Sequence, residues 1–181
     1  MERLFNFIGG DSGDWFITGV KPVIGESLPG AERLAIVGGE TRIPAGGLWS
    51  LRGVVSNERY VTHAEREELR ATQAGLGRQQ ASRAALIPIR KSAAWWALAQ
   101  DERRAIVEDQ SRHIRTGMKY LPAVARRLHH SRDLGEPFDF LTWFEYAPGD
   151  EAAFEELVGL LRLTEEWKFV DREVDIRLAR A

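Results

Sequence analysis

The chain has 181 residues, 44% of them apolar and 29% charged, and its 25 basic and 27 acidic residues leave a net charge of −2. That balance belongs to a globular protein and gives no bulk electrostatic reason to coat nucleic acid or an anionic membrane. The absence of cysteine excludes disulfide scaffolds, thiol nucleophiles, cysteine zinc sites, iron–sulfur clusters and covalently attached c-type haem.

The start, Met1 to Phe7, lacks the basic-then-apolar pattern of a signal peptide. No apolar run approaches a membrane-spanning length, so the cytoplasm is the expected compartment. Leu4 to Ile8 alternates as a strand, Gly9-Gly10 breaks it, and Asp14-Trp15-Phe16-Ile17 resumes it. Residues 19–47 are rich in Gly and Pro and read as loops with short strands, and Trp49 to Val55 reads as a strand. A helix is expected from about Ala64 to Ala74 with Thr62 as its N-cap, followed by a linker at Gly75 to Gln80.

The second half is more regular. Ala85 to Lys91 reads as a short apolar strand whose Pro88 points to an edge or a bulge. After the turn Ser92-Ala93-Ala94-Trp95-Trp96, a helix is expected from about Asp101 to Arg115. Ala125 to Arg132 reads as a strand, and Phe138, Phe140, Thr142, Phe144 and Tyr146 alternate along another. Asp150 is placed to cap a helix with the stripe Ala153, Phe154, Leu157, Val158 and Leu161. A last strand puts Val174, Ile176 and Leu178 on one face and Asp175 and Arg177 on the other.

This order is β-α-β-β-α-β, the ferredoxin-like split βαβ unit of the α+β class. Helices cover one face of such a sheet. The other face needs a second sheet, from the N-terminal half or from a second subunit. The expected division is a shortened N-terminal half, residues 1–80, and a C-terminal half, residues 81–181.

Few residues stand out for chemistry. His113 lies seven residues after Ile106, hence on the same side of the expected helix and near its C-terminal end, where it reads either as a metal ligand or as a core histidine. Arg126 shares a strand face with Leu128 and His130, while Arg127 and His129 face the other way. On an inner face its guanidinium suits either a small anion or an interfacial ion pair. Adjacent strand residues diverge, so His129 and His130 do not form a metal pair. Glu165-Glu166 reads either as an exposed acidic pair or as the carboxylate that orients a metal-bound imidazole. Trp95 and Trp96 read as core, interface, or the wall of a macrocycle.

The runs His113-Ile-Arg-Thr-Gly-Met-Lys-Tyr-Leu-Pro to Phe144-Glu-Tyr-Ala147 and Thr164-Glu-Glu-Trp-Lys-Phe-Val-Asp-Arg-Glu173 closely resemble the chlorite dismutase family. The resemblance covers roughly residues 85–178, extends more loosely to Asn57, Tyr60 and Gln73, and fits the short branch that forms homodimers. It implies a dimeric α+β barrel whose C-terminal half binds haem b non-covalently and converts chlorite to chloride and molecular oxygen. It also implies roles. His113 matches the haem iron ligand, Glu166 its carboxylate partner, Arg126 the distal arginine and Gln73 the distal glutamine. Lys91, Asn57 and Tyr60 match residues that hold the haem propionates, and Trp95 and Trp96 those beside the macrocycle.

A sister branch that decarboxylates coproheme shares the fold. It carries glutamine in place of Arg126 and a tyrosine in place of Ile87, and isoleucine cannot form a tyrosyl radical. Both departures favour chlorite chemistry. A coproheme decarboxylase, a peroxidase-like haem enzyme and a non-catalytic haem carrier or sensor are the alternatives.

Overall fold

The computed structural model describes residues 2–56, 63–72 and 75–180. Among these, eight antiparallel strands close into a barrel. They are β1 (Leu4–Gly10), β2 (Trp15–Ile24), β3 (Arg33–Gly38), β4 (Trp49–Val55), β5 (Arg83–Lys91), β6 (Ala125–His130), β7 (Phe140–Tyr146) and β8 (Val170–Arg180). Their order around the barrel is β1-β3-β2-β8-β5-β7-β6-β4.

The barrel contains two runs of four. The N-terminal run is β4-β1-β3-β2 and the C-terminal run is β8-β5-β7-β6, the same order when each is numbered from its own first strand. The seams are β2 against β8 and β4 against β6. The second sheet required by the C-terminal half therefore comes from the same chain.

Strand alternation divides the apolar residues into two cores. Phe7, Trp15, Leu34, Leu51, Leu86, Leu141, Trp143 and Ile176 fill the barrel. Ile87, Ile89, Phe140, Phe144 and Tyr146 point outward and are covered by Phe154, Leu157, Val158 and Leu161 of helix α5, Glu151–Arg162. Burial on both faces explains why β5 reads as an unbroken apolar run.

Several boundaries differ from expectation. Residues 19–47 contain most of β2 and all of β3, and β2 tolerates Pro22 through register shifts against β8. Pro88 is not at an edge, because β5 lies between β7 and β8. Lacking an N–H, it interrupts the ladder instead: pairing with β8 passes from Leu86↔Ile176 to Ile89↔Glu173. Asp150 occupies the N-cap position of α5, but its side chain makes no capping hydrogen bond. The remaining α-helices among the described residues are α1 (His63–Thr72), α2 (Ala93–Ala97), α3 (Gln100–Arg104) and α4 (His113–Met118). Thr62, the expected cap of α1, lies outside the described residues.

The helix expected from Asp101 to Arg115 is three pieces. After α3 the chain makes a π-helical turn, Ala105–Gln110, and Arg112 then adopts a left-handed φ of 51°. His113 starts α4 instead of ending a longer helix. A π turn carries an extra residue, so the face that begins at Ile106 does not continue to His113. Glu108 Oε2 accepts the Ile114 N–H at 3.0 Å, satisfying one of the amides left open where α4 begins.

Candidate active site

The break before α4 and a 3₁₀ turn before β8, Glu165–Phe169, bring His113 and Glu166 together. His113 Nδ1 lies 2.6 Å from Glu166 Oε2. The other carboxylate oxygen, Oε1, accepts from Lys91 Nζ at 2.8 Å. Ser111 Oγ accepts the Glu166 backbone N–H at 2.9 Å, tying the turn to the segment that leads into His113. Burial opposes the Glu166 charge, but His113 and Lys91 outweigh it and hold its pKa down to about 2. The carboxylate therefore stays ionised and fixes the imidazole so that Nε2 faces away from it.

Lys91 differs from its expected role. The resemblance gives it a propionate, whereas its side chain is only 1% exposed and its ammonium is bonded to Glu166. It lies on the same face of β5 as Ile87 and Ile89, with Nζ 4.5 Å from the Trp95 ring centroid and 5.5 Å from that of Trp167. Trp95 is fully buried behind it, against Phe169, Ile106 and Val107. Trp96 is half-buried and stacks on Phe140, with the Arg132 guanidinium 3.9 Å from its ring centroid. Asp139 accepts from Trp96 Nε1 at 3.2 Å and from the Lys91 backbone N–H at 2.7 Å, which links the two residues.

Arg126 has the expected strand parity. His129, two positions from Arg127, is buried in the barrel against Phe5 and Phe7, whereas His130 packs on Phe140 outside it. Leu128, on the Arg126 face, packs on the outer core. The Arg126 guanidinium rests against Gly117, where an added Cβ would overlap it. Gly117 lies one helical turn after His113, so α4 presents both positions on one side. Burial lowers the pKa of Arg126, the mark of a cation that has lost part of its hydration.

Ile87 is buried in the outer core and pairs with Thr142 of β7. Asn57, Tyr60 and Gln73 lie outside the described residues. Trp167, Ser111, Asp139 and Gly117 carry no mark in the sequence that separates them from ordinary packing residues. A cavity of about 430 Å³ lies beside α4, lined among the described residues by Glu68, Glu108, Ile114, Arg115, Met118 and Lys119, and none of the expected site residues that the structure describes is among them.

The donor set suits a metal carried by a macrocycle. Among the described residues no group of three His, Asp or Glu could hold a bare ion. His113 offers a single, partly exposed imidazole with an anionic partner, beside the half-buried Trp167.

The sequence pattern of the chlorite dismutase family matches residues 46–181. The chain belongs to the chlorite dismutase family. Within it, the chain is similar to the dimeric chlorite dismutase from Nitrobacter winogradskyi, at 63% identity and a TM-score of 0.92 over 98% of this chain and 99% of that one. A mutant chlorite dismutase from Candidatus Nitrospira defluvii shares the fold, with a TM-score of 0.71 at 19% identity over 100% of this chain and 92% of that one. The curated chlorite dismutase from Ideonella dechloratans is 33% identical over 84 residues, which is 46% of this chain and 27% of that protein. That match thus spans about a quarter of the relative's length. No helix among the described residues of this family member is long and apolar enough to cross a membrane.

Proposed function

We infer that the protein is a chlorite dismutase, converting chlorite to chloride and molecular oxygen, with haem b as its cofactor. One observation carries the reading: His113 is held at Nδ1 by an ionised carboxylate, while Arg126 is held on the same side of α4 by the clearance at Gly117. A metal-ligating imidazole and a poorly hydrated guanidinium on one side of α4 suit a small oxyanion presented to a metal centre.

Bound haem supplies a redox-active iron that can accept an oxygen atom and return it. The chain's own residues do the rest. His113 offers Nε2 as the iron ligand. Glu166 accepts a hydrogen bond from Nδ1–H and gives the ring anionic character, which raises its donor strength. Lys91 balances the buried carboxylate, and Ser111 fixes the turn that carries it. Arg126 binds the chlorite anion and retains the oxychlorine anion until chloride forms. Gln73 is proposed beside it, with Asn57 and Tyr60 at the haem propionates. Trp96 and Ile87 are proposed as apolar wall.

The coproheme alternative lacks its phenol, because the corresponding side chain is the buried Ile87. The order β8-β5-β7-β6 with its intervening helices supports describing residues 81–181 as a ferredoxin-like haem-binding unit, with residues 1–80 as its shortened partner. The dimeric relative from Nitrobacter winogradskyi supports a homodimer.

Haem titration of the full chain and of His113→Ala tests the assignment. Stoichiometric uptake with a histidine-ligated ferric spectrum, lost in the variant, is the expected result. Equal uptake by both would contradict it.

A further inference from the structure

Glu173 of β8 is fully buried on the strand face opposite Val174 and Ile176. Its two oxygens have separate duties. Oε1 accepts from Arg162 at the end of α5, through Nε at 2.8 Å and Nη2 at 2.6 Å. Oε2 accepts from the Trp167 indole N–H at 2.8 Å. The indole ring lies 6.3 Å from the His113 ring, centroid to centroid and tilted by 35°, and 5.5 Å from Lys91 Nζ. Trp167 also follows Glu166 directly on the 3₁₀ turn.

We propose that Glu173 is a positioning residue for the site, acting through Trp167. It fixes the indole against which His113 and Lys91 are set, and with it the turn that presents Glu166. Its importance to the cofactor rests on His113 being the iron ligand.

The chemistry favours a positioning role over a simple counter-ion. One oxygen suffices to pair Arg162, which also donates to Asp175 Oδ2 at 2.9 Å. A simple counter-ion would leave the second oxygen no specific task, yet here it fixes the one polar atom of the ring that flanks His113. The tie comes from the barrel wall, so the orientation of the imidazole's neighbour is referred to a rigid strand and not to the turn alone.

Glu173→Gln and Trp167→Phe separate the possibilities. A glutamine has one carbonyl oxygen for two donors, so in either orientation an NH₂ group faces Arg162 or Trp167. Trp167→Phe keeps an aromatic ring and the Arg162 pair but removes the indole tie.

In the cofactor-free full chain, the Trp167 indole resonance, assigned by its loss in Trp167→Phe, should shift in Glu173→Gln, and the His113 ring-proton signals should shift in both variants. In the haem-loaded ferrous protein, both should lower the iron–histidine stretching frequency, and the double variant should move it no further than Trp167→Phe. A fall in Tm with unmoved indole, His113 and iron–histidine signals would reduce Glu173 to a counter-ion of Arg162. If Glu173→Gln does not fold, the iron–histidine frequency of Trp167→Phe decides alone, since losing the indole ring current shifts the His113 proton signals by itself. Failure of the haem assignment would appear separately, as no haem uptake by the unsubstituted chain.

Discussion

The guanidinium of Arg126 occupies space that exists only because residue 117 is glycine. Gly117→Ala therefore sets two effects against each other. Alanine gains about 1 kcal/mol of helix propensity, while its methyl displaces the tip of a flexible side chain at modest energetic cost. The expected outcome is near-wild-type Tm and haem uptake with a raised KM for chlorite. An unchanged KM would show that Arg126 does not need this seat.

Arg126→Ala removes the cation altogether. One charge-assisted hydrogen bond contributes roughly 1.5–3 kcal/mol, about one to two decades in retention of the anion. Turnover should fall, and escaping hypochlorite should bleach the haem after fewer cycles. Total turnovers equal to wild type would contradict the retention role.

Glu166→Gln should raise the ferric/ferrous potential, because His113 loses its anionic partner. It also leaves the Lys91 ammonium, whose side chain is 1% exposed, without its carboxylate. Breaking such a buried pair costs about 3–5 kcal/mol. The double variant Lys91→Met/Glu166→Gln should recover part of that stability while keeping the raised potential. Chemical denaturation and redox titration of the three proteins separate the two effects.

Stability should also depend on pH through His129. Burial, then the charge of Arg127, lower its pKa from 6.5 to about 4, against a smaller opposing effect of the Leu141 carbonyl. As pH falls below 6.5 the unfolded chain binds a proton at this site, whereas the folded chain does not until about pH 4. Stability is thus fully present above that window and falls across it by up to about 3 kcal/mol. Glu166, whose pKa is lowered from 4.5 to about 2, adds a further loss between those values. Urea unfolding of cofactor-free His129→Leu should lose the upper slope and retain the lower one.

Strand periodicity made much of the barrel legible. Leu4 to Ile8, Trp49 to Val55 and the alternation from Phe140 to Tyr146 all mark strands. Asp14 to Ile17 marked the start of β2, but Pro22 and the neighbouring glycines hid its continuation and the bounds of β3, because local propensity carries no information about the pairing of β2 with β8 or of β3 with β1 and β2. The break before His113 was invisible for a similar reason: Ala105 to Gln110 keeps ordinary helical spacing while forming a π turn. The strand parity of Arg126 followed from period 2. The pairing of Glu166 with His113 and Lys91 spans sequence separations of 53 and 75 residues, beyond any local pattern. Family resemblance pointed to the first pair, and only the fold showed that Lys91 completes it. Gly117 had no signal at all, since clearance depends on what packs opposite.

Oxygen release is the most direct test of the central claim. Haem-loaded protein is given chlorite at mildly acidic pH and followed with an oxygen electrode. Rapid evolution approaching one O₂ per chlorite is the predicted result. A clean histidine-ligated ferric spectrum with no oxygen released would contradict the assignment and leave a haem protein of different chemistry.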